Sequence, residues 1–133
     1  MTTTKEAERA ESQARAQLES IIELVSALND SGDQEDDDAN EAAVTAIHED
    51  ALSVEVRSGW TSPGDKLEPA EYCILLCTGG PAVRIIGELD RGYEPDSAEL
   101  QYQDWGTPWT RYLTTHEEEN TLLSYARQFY FES

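Results

Sequence analysis

Tyr72-Cys73-Ile74-Leu75-Leu76-Cys77-Thr78-Gly79-Gly80-Pro81-Ala82-Val83-Arg84-Ile85-Ile86-Gly87 is the stretch on which the fold turns. Tyr72 to Thr78 is apolar at both alternating positions, so a strand there would be covered on both faces and belongs inside a sheet. Gly79, Gly80 and Pro81 interrupt the run with turn residues, and Ala82 to Leu89 resumes it, which reads as a hairpin. Leu75 and Ile85 are expected in its core. Upstream, Leu52, Val54 and Val56 alternate with Ser53, Glu55 and Arg57, the period of a half-exposed strand. A loop from Gly59 to Pro69, carrying Trp60, Pro63 and Gly64, joins it to the hairpin. Downstream, Arg91-Gly92 through Pro95-Asp96 makes a further turn. Ser97 to Trp105 then follows as a fourth strand, with Ala98, Leu100 and Tyr102 inward and Glu99, Gln101 and Gln103 outward.

Helical spacing flanks this sheet on both sides. Ala7, Ala14, Ile21 and Leu28 recur at sevens with Leu18 and Val25 between them, which predicts a helix over 4–28 stopped by Asn29 and Gly32. The alanine half of that stripe buries little, so it is expected to project or to meet a partner helix. Ala39, Ala42, Ala43, Ala46 and Ile47 form a thin stripe on a short second helix within 30–50, with Asp36, Asp37 or Asp38 as its N-cap. Gly106 to Leu113 reads as a loop. Thr115-His116-Glu117-Glu118 is a capping-box start for a last helix over 115–131, buried through Leu122, Leu123, Ala126, Phe129 and Tyr130. The predicted fold is α+β, one domain over 1–133. A four-stranded antiparallel sheet occupies 51–105, and the N-terminal helices and the C-terminal helix pack on one face.

Charge decides which partners suit such a domain. Lys and Arg number 9 against 28 Asp and Glu, a formal net charge of −19. That balance repels nucleic acid and anionic membranes, so cationic partners are expected, with no direct nucleic-acid or membrane binding. Met1 to Gln17 has no apolar core of a signal peptide, and no run approaches the length of a membrane span. Cys73 and Cys77, four apart, would share a strand face about 13 Å apart, too far to bridge, and their spacing is not that of a redox or zinc motif. Two buried thiols suit a reducing compartment, and the chain is expected in the cytoplasm.

The chemistry of an enzyme is missing. His48 and His116 lie in charged helical contexts and read as surface residues, no serine sits in a nucleophile elbow, and no glycine pattern forms a phosphate loop. Asp30 to Glu41 has the length of an EF-hand loop, but Gly32, Gln34 and Glu35 occupy its third, fifth and sixth positions, which rules that motif out. No catalytic residue, metal site or cofactor is expected. Trp60, Trp105, Gly106, Pro108, Trp109 and Tyr112 either pack between the strand ends and the last helix or form an exposed aromatic patch.

The sharper signal is the acidic tract. Between Arg15 and Arg57 there is no Lys or Arg. Were Asp30 to Asp50 one continuous helix, its acids would lie roughly 3.5 Å apart along the axis, beside about 3.4 Å between phosphates on one DNA strand. Asp33, Glu35, Asp36, Asp37, Asp38, Glu41, Glu49 and Asp50 are therefore the candidate partner-binding residues, a phosphate-like row for a basic DNA-binding groove.

The runs 72–87 and Gln103-Asp104-Trp105-Gly106-Thr107-Pro108-Trp109-Thr110 resemble those of small uncharacterised acidic proteins carried by bacterial phages and mobile elements. The resemblance covers about Ala51 to the C-terminus. It implies a setting that includes anti-CRISPR and anti-restriction inhibitors, several of which imitate DNA, acting in a bacterial host. The expectation is thus an inhibitor of a nucleic-acid-targeting defence, an anti-CRISPR protein first, whose partner is a basic surface of a CRISPR-Cas or restriction effector. The alternative is an acidic adaptor or chaperone-like module that holds a basic protein, as a homodimer through the Ala7–Leu28 stripe.

Overall fold

The computed structural model describes residues 2–131, with side chains from residue 8 onward. Three helices and five strands follow one another as α1 (Thr2–Asp33), α2 (Asp37–Asp50), β1 (Ser53–Ser58), β2 (Pro69–Cys77), β3 (Ala82–Glu88), β4 (Glu99–Gln103), β5 (Thr110–Tyr112) and α3 (His116–Ala126). The strands form one antiparallel sheet in sequence order, β1-β2-β3-β4-β5. The α+β class and the antiparallel sheet stand as expected. The fifth strand was expected to be loop, and too few residues pair there to show alternation: Thr110, Arg111 and Tyr112 lie opposite Tyr102, Gln101 and Leu100. Among the described residues no helix is long and apolar enough to cross a membrane.

The core lies between the helices and one sheet face. Ala14, Leu18, Ile21 and Val25 of α1, Ile47 of α2 and Leu122, Tyr125 and Ala126 of α3 meet Tyr72, Ile74 and Leu76 of β2, Val83 and Ile85 of β3, and Leu100 of β4. Each such buried Leu, Ile or Val contributes roughly 1.5–3 kcal/mol. Helix α1 is longer than predicted at its C-terminal end, where it runs through Gly32. It stops where Glu35 turns into the left-handed region (φ 51), while the carbonyls of Asp30 and Ser31 accept from Gln34 and Asp36 at 3.0 and 3.1 Å. Ala10 and Ala14 are fully buried within the chain, so the alanine half of the stripe docks rather than projects. Ala7 lies outside the described side chains. A homodimer through this stripe would have to strip α1 from its own core.

The capping box of α3 forms as read. Thr115 accepts from the Glu118 amide at 3.1 Å, and Glu118 accepts from the Thr115 amide at 2.9 Å. The helix ends earlier than predicted, at Ala126, and the chain beyond it folds back under the sheet. Phe131 is buried against Tyr72 with ring centroids 5.0 Å apart, while Tyr130, expected inside, is exposed.

The other sheet face carries no helix, which corrects the reading of β2 as covered on both sides. Cys73, Leu75, Arg84, Ile86, Glu99 and Gln101 share this open face, and the aliphatic and aromatic groups there are half-shielded by their long polar neighbours. Arg84 lies over Trp109 at 4.0 Å and donates to Gln101 at 2.9 Å. A bulge between Leu75 and Cys77 sets Cys77 opposite Val83, so its thiol turns toward Gln13 and Gln17 of α1, away from the side that Cys73 takes. Both free thiols are half-buried rather than buried, and desolvation pushes both up from the usual thiol value. Gly87 is required by close approach: a Cβ there would meet the Ser97 carbonyl oxygen at 2.0 Å and the Tyr72 ring at 2.7 Å.

Two outcomes test this arrangement. Ile85→Ala should cost about 2–5 kcal/mol in chemical denaturation, and Leu75→Ala clearly less, because Leu75 faces the open side. Equal losses at the two positions would place the core on the wrong face. The second outcome concerns Glu118, whose carboxyl is held below its ordinary value by the Thr115 amide first and by Arg15 as well. A depressed carboxyl stabilises the fold above its unfolded pKa and loses that contribution as pH falls through the folded one. Glu118→Gln should therefore lower the melting temperature at neutral pH, and the gap to the parent should close as pH falls below about 4.5.

Candidate functional site

The corner between α1 and α2 gathers acids for local reasons. Asp36 is the N-cap of α2 (φ −95, ψ 100), and its carboxylate accepts from the Ala39 amide at 3.0 Å. Asp37 and Asp38 occupy the first helical turn, where the positive end of the peptide dipoles favours carboxylates. Glu35 forms the reversal and Asp33 ends α1. Beneath them Ser31 is buried, donates to the Leu28 carbonyl at 2.7 Å and accepts from Asn40 at 3.3 Å, tying the two helices. Asp30, Asp33, Glu35, Asp36, Asp37, Asp38 and Glu41 are all exposed.

This geometry replaces the single charged rod. The tract is two helices meeting at a turn, so its acids bunch at one corner instead of spacing out evenly. Asp33, Glu35, Asp36, Asp37, Asp38 and Glu41 are brought together. Glu49 and Asp50 are not: they end α2, about 18 Å of helix beyond Asp37. Glu49 is exposed there. Asp50 is structural. Its Oδ2 accepts from the Tyr125 hydroxyl at 2.7 Å, and burial followed by this carboxylate pushes the Tyr125 phenol above its usual value. His48, beside it, has Nε2 in contact with the Gln128 carbonyl and its ring 5.4 Å from Phe129, so the foot of α2 is a clasp onto the end of α3.

Glu19, Glu23 and Asp30 also belong to the acidic surface, exposed on the side of α1 turned away from its core stripe. Their spacing of four and seven carried that signal in the sequence. The ion pairs among the described residues, Arg15–Glu19, Arg15–Glu118, Arg57–Glu71 and Arg111–Glu99, all leave the corner acids without a cation. Among the described residues no three His, Cys, Asp or Glu side chains converge to hold a metal ion.

The tryptophans separate. Trp109 is half-buried under Arg84, and Tyr112 packs edge-on to Tyr102 with centroids 6.4 Å apart. Trp105 and Trp60 are exposed, Trp60 completely, on loops at different places in the chain. They form neither the buried cluster nor one patch beside the acids.

The chain matches no protein-family model, no curated protein and no solved structure with which it was compared. What it does has to be read from its surface.

Asp50 and Glu49 offer a direct contrast. Asp50→Ala leaves the buried Tyr125 hydroxyl without an acceptor and should cost about 1–3 kcal/mol. Glu49→Ala should stay within about 0.5 kcal/mol of the parent. Denaturant midpoints of the two variants check both values, and equal effects would remove Asp50 from the clasp.

Proposed function

We propose that the chain inhibits a bacterial nucleic-acid-targeting defence, as an anti-CRISPR protein in the first instance, by occupying the basic groove in which the effector would hold DNA. One observation carries this reading: the α1–α2 corner exposes Asp30, Asp33, Glu35, Asp36, Asp37 and Asp38 within nine residues, with no cation paired to them among the described residues. A groove lined with Lys and Arg gains charge-assisted hydrogen bonds from such carboxylates, most of all from bidentate Arg contacts. The long-range field of a chain at −19 adds speed of encounter with a basic partner.

The corner fits a protein partner better than a metal. Its carboxylates are exposed without converging on a common point among the described residues, and hydrogen bonds inside the turn are already made by Asp36 and Ser31. The sheet is the scaffold that holds α1, and α1 holds the corner. The resemblance of 72–87 and 103–110 to proteins of phages and mobile elements supplies the setting, the cytoplasm of a bacterial host.

The combined change Asp36→Asn, Asp37→Asn and Asp38→Asn tests the reading. Asparagine keeps the N-cap acceptor at position 36, so the fold should persist by far-UV dichroism. Inhibition of the defence nuclease should weaken by an order of magnitude or more. Its dependence on salt should flatten as well, because fewer charges remain to be screened. Asp65→Asn with Glu68→Gln, exposed in the β1–β2 loop, is the charge-removing control and should change little. Unchanged inhibition in the triple variant would take the corner out of the interface.

A further inference from the structure

The outer edge of β1 leaves apolar side chains in a row beside backbone that no other strand pairs among the described residues. Val54 and Val56 point to the helix side of the sheet, opposite Ile74 and Tyr72. The helices pack over the neighbouring strands instead, and Leu52, Val54 and Val56 stay 58%, 37% and 40% exposed. Trp60, just past the strand, is fully exposed. Pairing on one side only leaves alternate N–H and C=O groups of β1 facing out, and the strand has neither a proline nor a lysine to blunt that edge.

We propose that β1 is the contact of a homodimer, paired antiparallel with β1 of a second copy about a two-fold axis at Val56. The order Leu52-Ser53-Val54-Glu55-Val56-Arg57-Ser58-Gly59-Trp60 is self-complementary about that residue. In this register Val56 meets its own copy, Glu55 meets Arg57 of the second copy, and Arg57 meets Glu55 of the second copy. Residues directly opposite across an antiparallel pair share a face and stand close enough for opposite charges and β-branched pairs to attract. Carried past the ends of the strand, Ser53 and Ser58, the register brings Trp60 of one chain toward Leu52 of the other. Two strongly exposed apolar side chains thereby cover each other. Moving the axis by one residue, to Glu55 or to Arg57, sets two like charges opposite each other, and moving it further, to Val54 or Ser58, leaves Glu55 and Arg57 without their opposite charges; none of these registers brings Trp60 to Leu52.

The axis stands perpendicular to the sheet, because opposed residues keep their face. The two sheets become one, with both helical layers on the same side. At the joint each Arg57, already paired with Glu71 of β2, also comes to lie opposite Glu55 of the second copy and bridges the two carboxylates. The long-range repulsion between two copies at −19 opposes it and is screened by salt, so association strengthens as ionic strength rises. That salt response is opposite in sign to the one expected for the acidic corner, and the two readings stand or fall separately.

Sedimentation equilibrium of the purified chain at moderate and high salt gives the test. The parent should sediment as two chains, with the association constant rising with salt. Val56→Lys places two like charges on the axis, and Glu55→Arg sets arginine against Arg57 of the second copy; each should halve the mass while far-UV dichroism is kept. The double exchange Glu55→Arg with Arg57→Glu restores opposite charges and should return the dimer at least in part. A parent that stays a single chain at both salts overturns the proposal. So does a dimer indifferent to both single changes, since it would then use another surface. A monomeric parent that captures an extended peptide along β1 would give the edge to a partner protein and refute the homodimer.

Discussion

Everything else rests on the seating of Leu18, Ile21 and Val25 of α1 against Ile74, Val83, Ile85 and Leu100 of the sheet. A chain at −19 pushes its own parts away from one another, and that repulsion is strongest between segments that share a sign. The helices α1 and α2 are such segments, yet they lie side by side. Apolar burial along one stripe of α1, continued by Ala43 and Ile47 of α2, must outweigh the repulsion between them. Arg15 then supplies the main electrostatic tie from α1 to α3, donating to Glu118 at 2.8 Å while holding Glu19 on its own helix.

The unequal sharing of cations follows from this division of labour. Arg57, Arg84 and Arg111 stand on the open face of the sheet, each engaged with Glu71, Gln101 and Trp109, or Glu99. That face is close to balanced. Among the described residues the α1–α2 corner has no such partners, and its acids are positioned by capping and by the turn rather than by ion pairs. Charge is therefore neutralised where no helix covers the sheet and left unpaired where two helices meet.

Legibility in the sequence followed the length of the pattern that carried each element. The hairpin 72–87 and the stripe Ala14 to Val25 repeat over several periods, and both were readable along with the α+β class. The capping box at Thr115 was readable because its residue types sit at a fixed spacing. Strand β5 was not, since three residues cannot display a period of two. The open face was also hidden: Cys73, Leu75 and Ile86 look buried by residue type, and only the three-dimensional placement of the helices on one side leaves them half-covered. The same limit applied to the acids. Composition located the tract, but the turn at Glu35 decides that Asp33 to Glu41 lie together, and the reach of Tyr125, 75 residues away in sequence, takes Asp50 out of the group.

The exposed row on β1 has a cause in this same economy of helices. Three helices cover the inner strands, and α1, the longest, lays its apolar stripe over β3 and β4. Nothing of similar length remains to cover Leu52, Val54 and Val56. An edge left this way is ordinarily a hazard, because any extended segment can add to it. In this chain the charge of the edge sequence inverts about Val56, Glu55 on one side and Arg57 on the other, so the segment that fits it best is its own copy. Net charge then acts as the regulator of that edge: repulsion between copies keeps irregular pairing weak, and only a register that sets Glu55 against Arg57 offsets it.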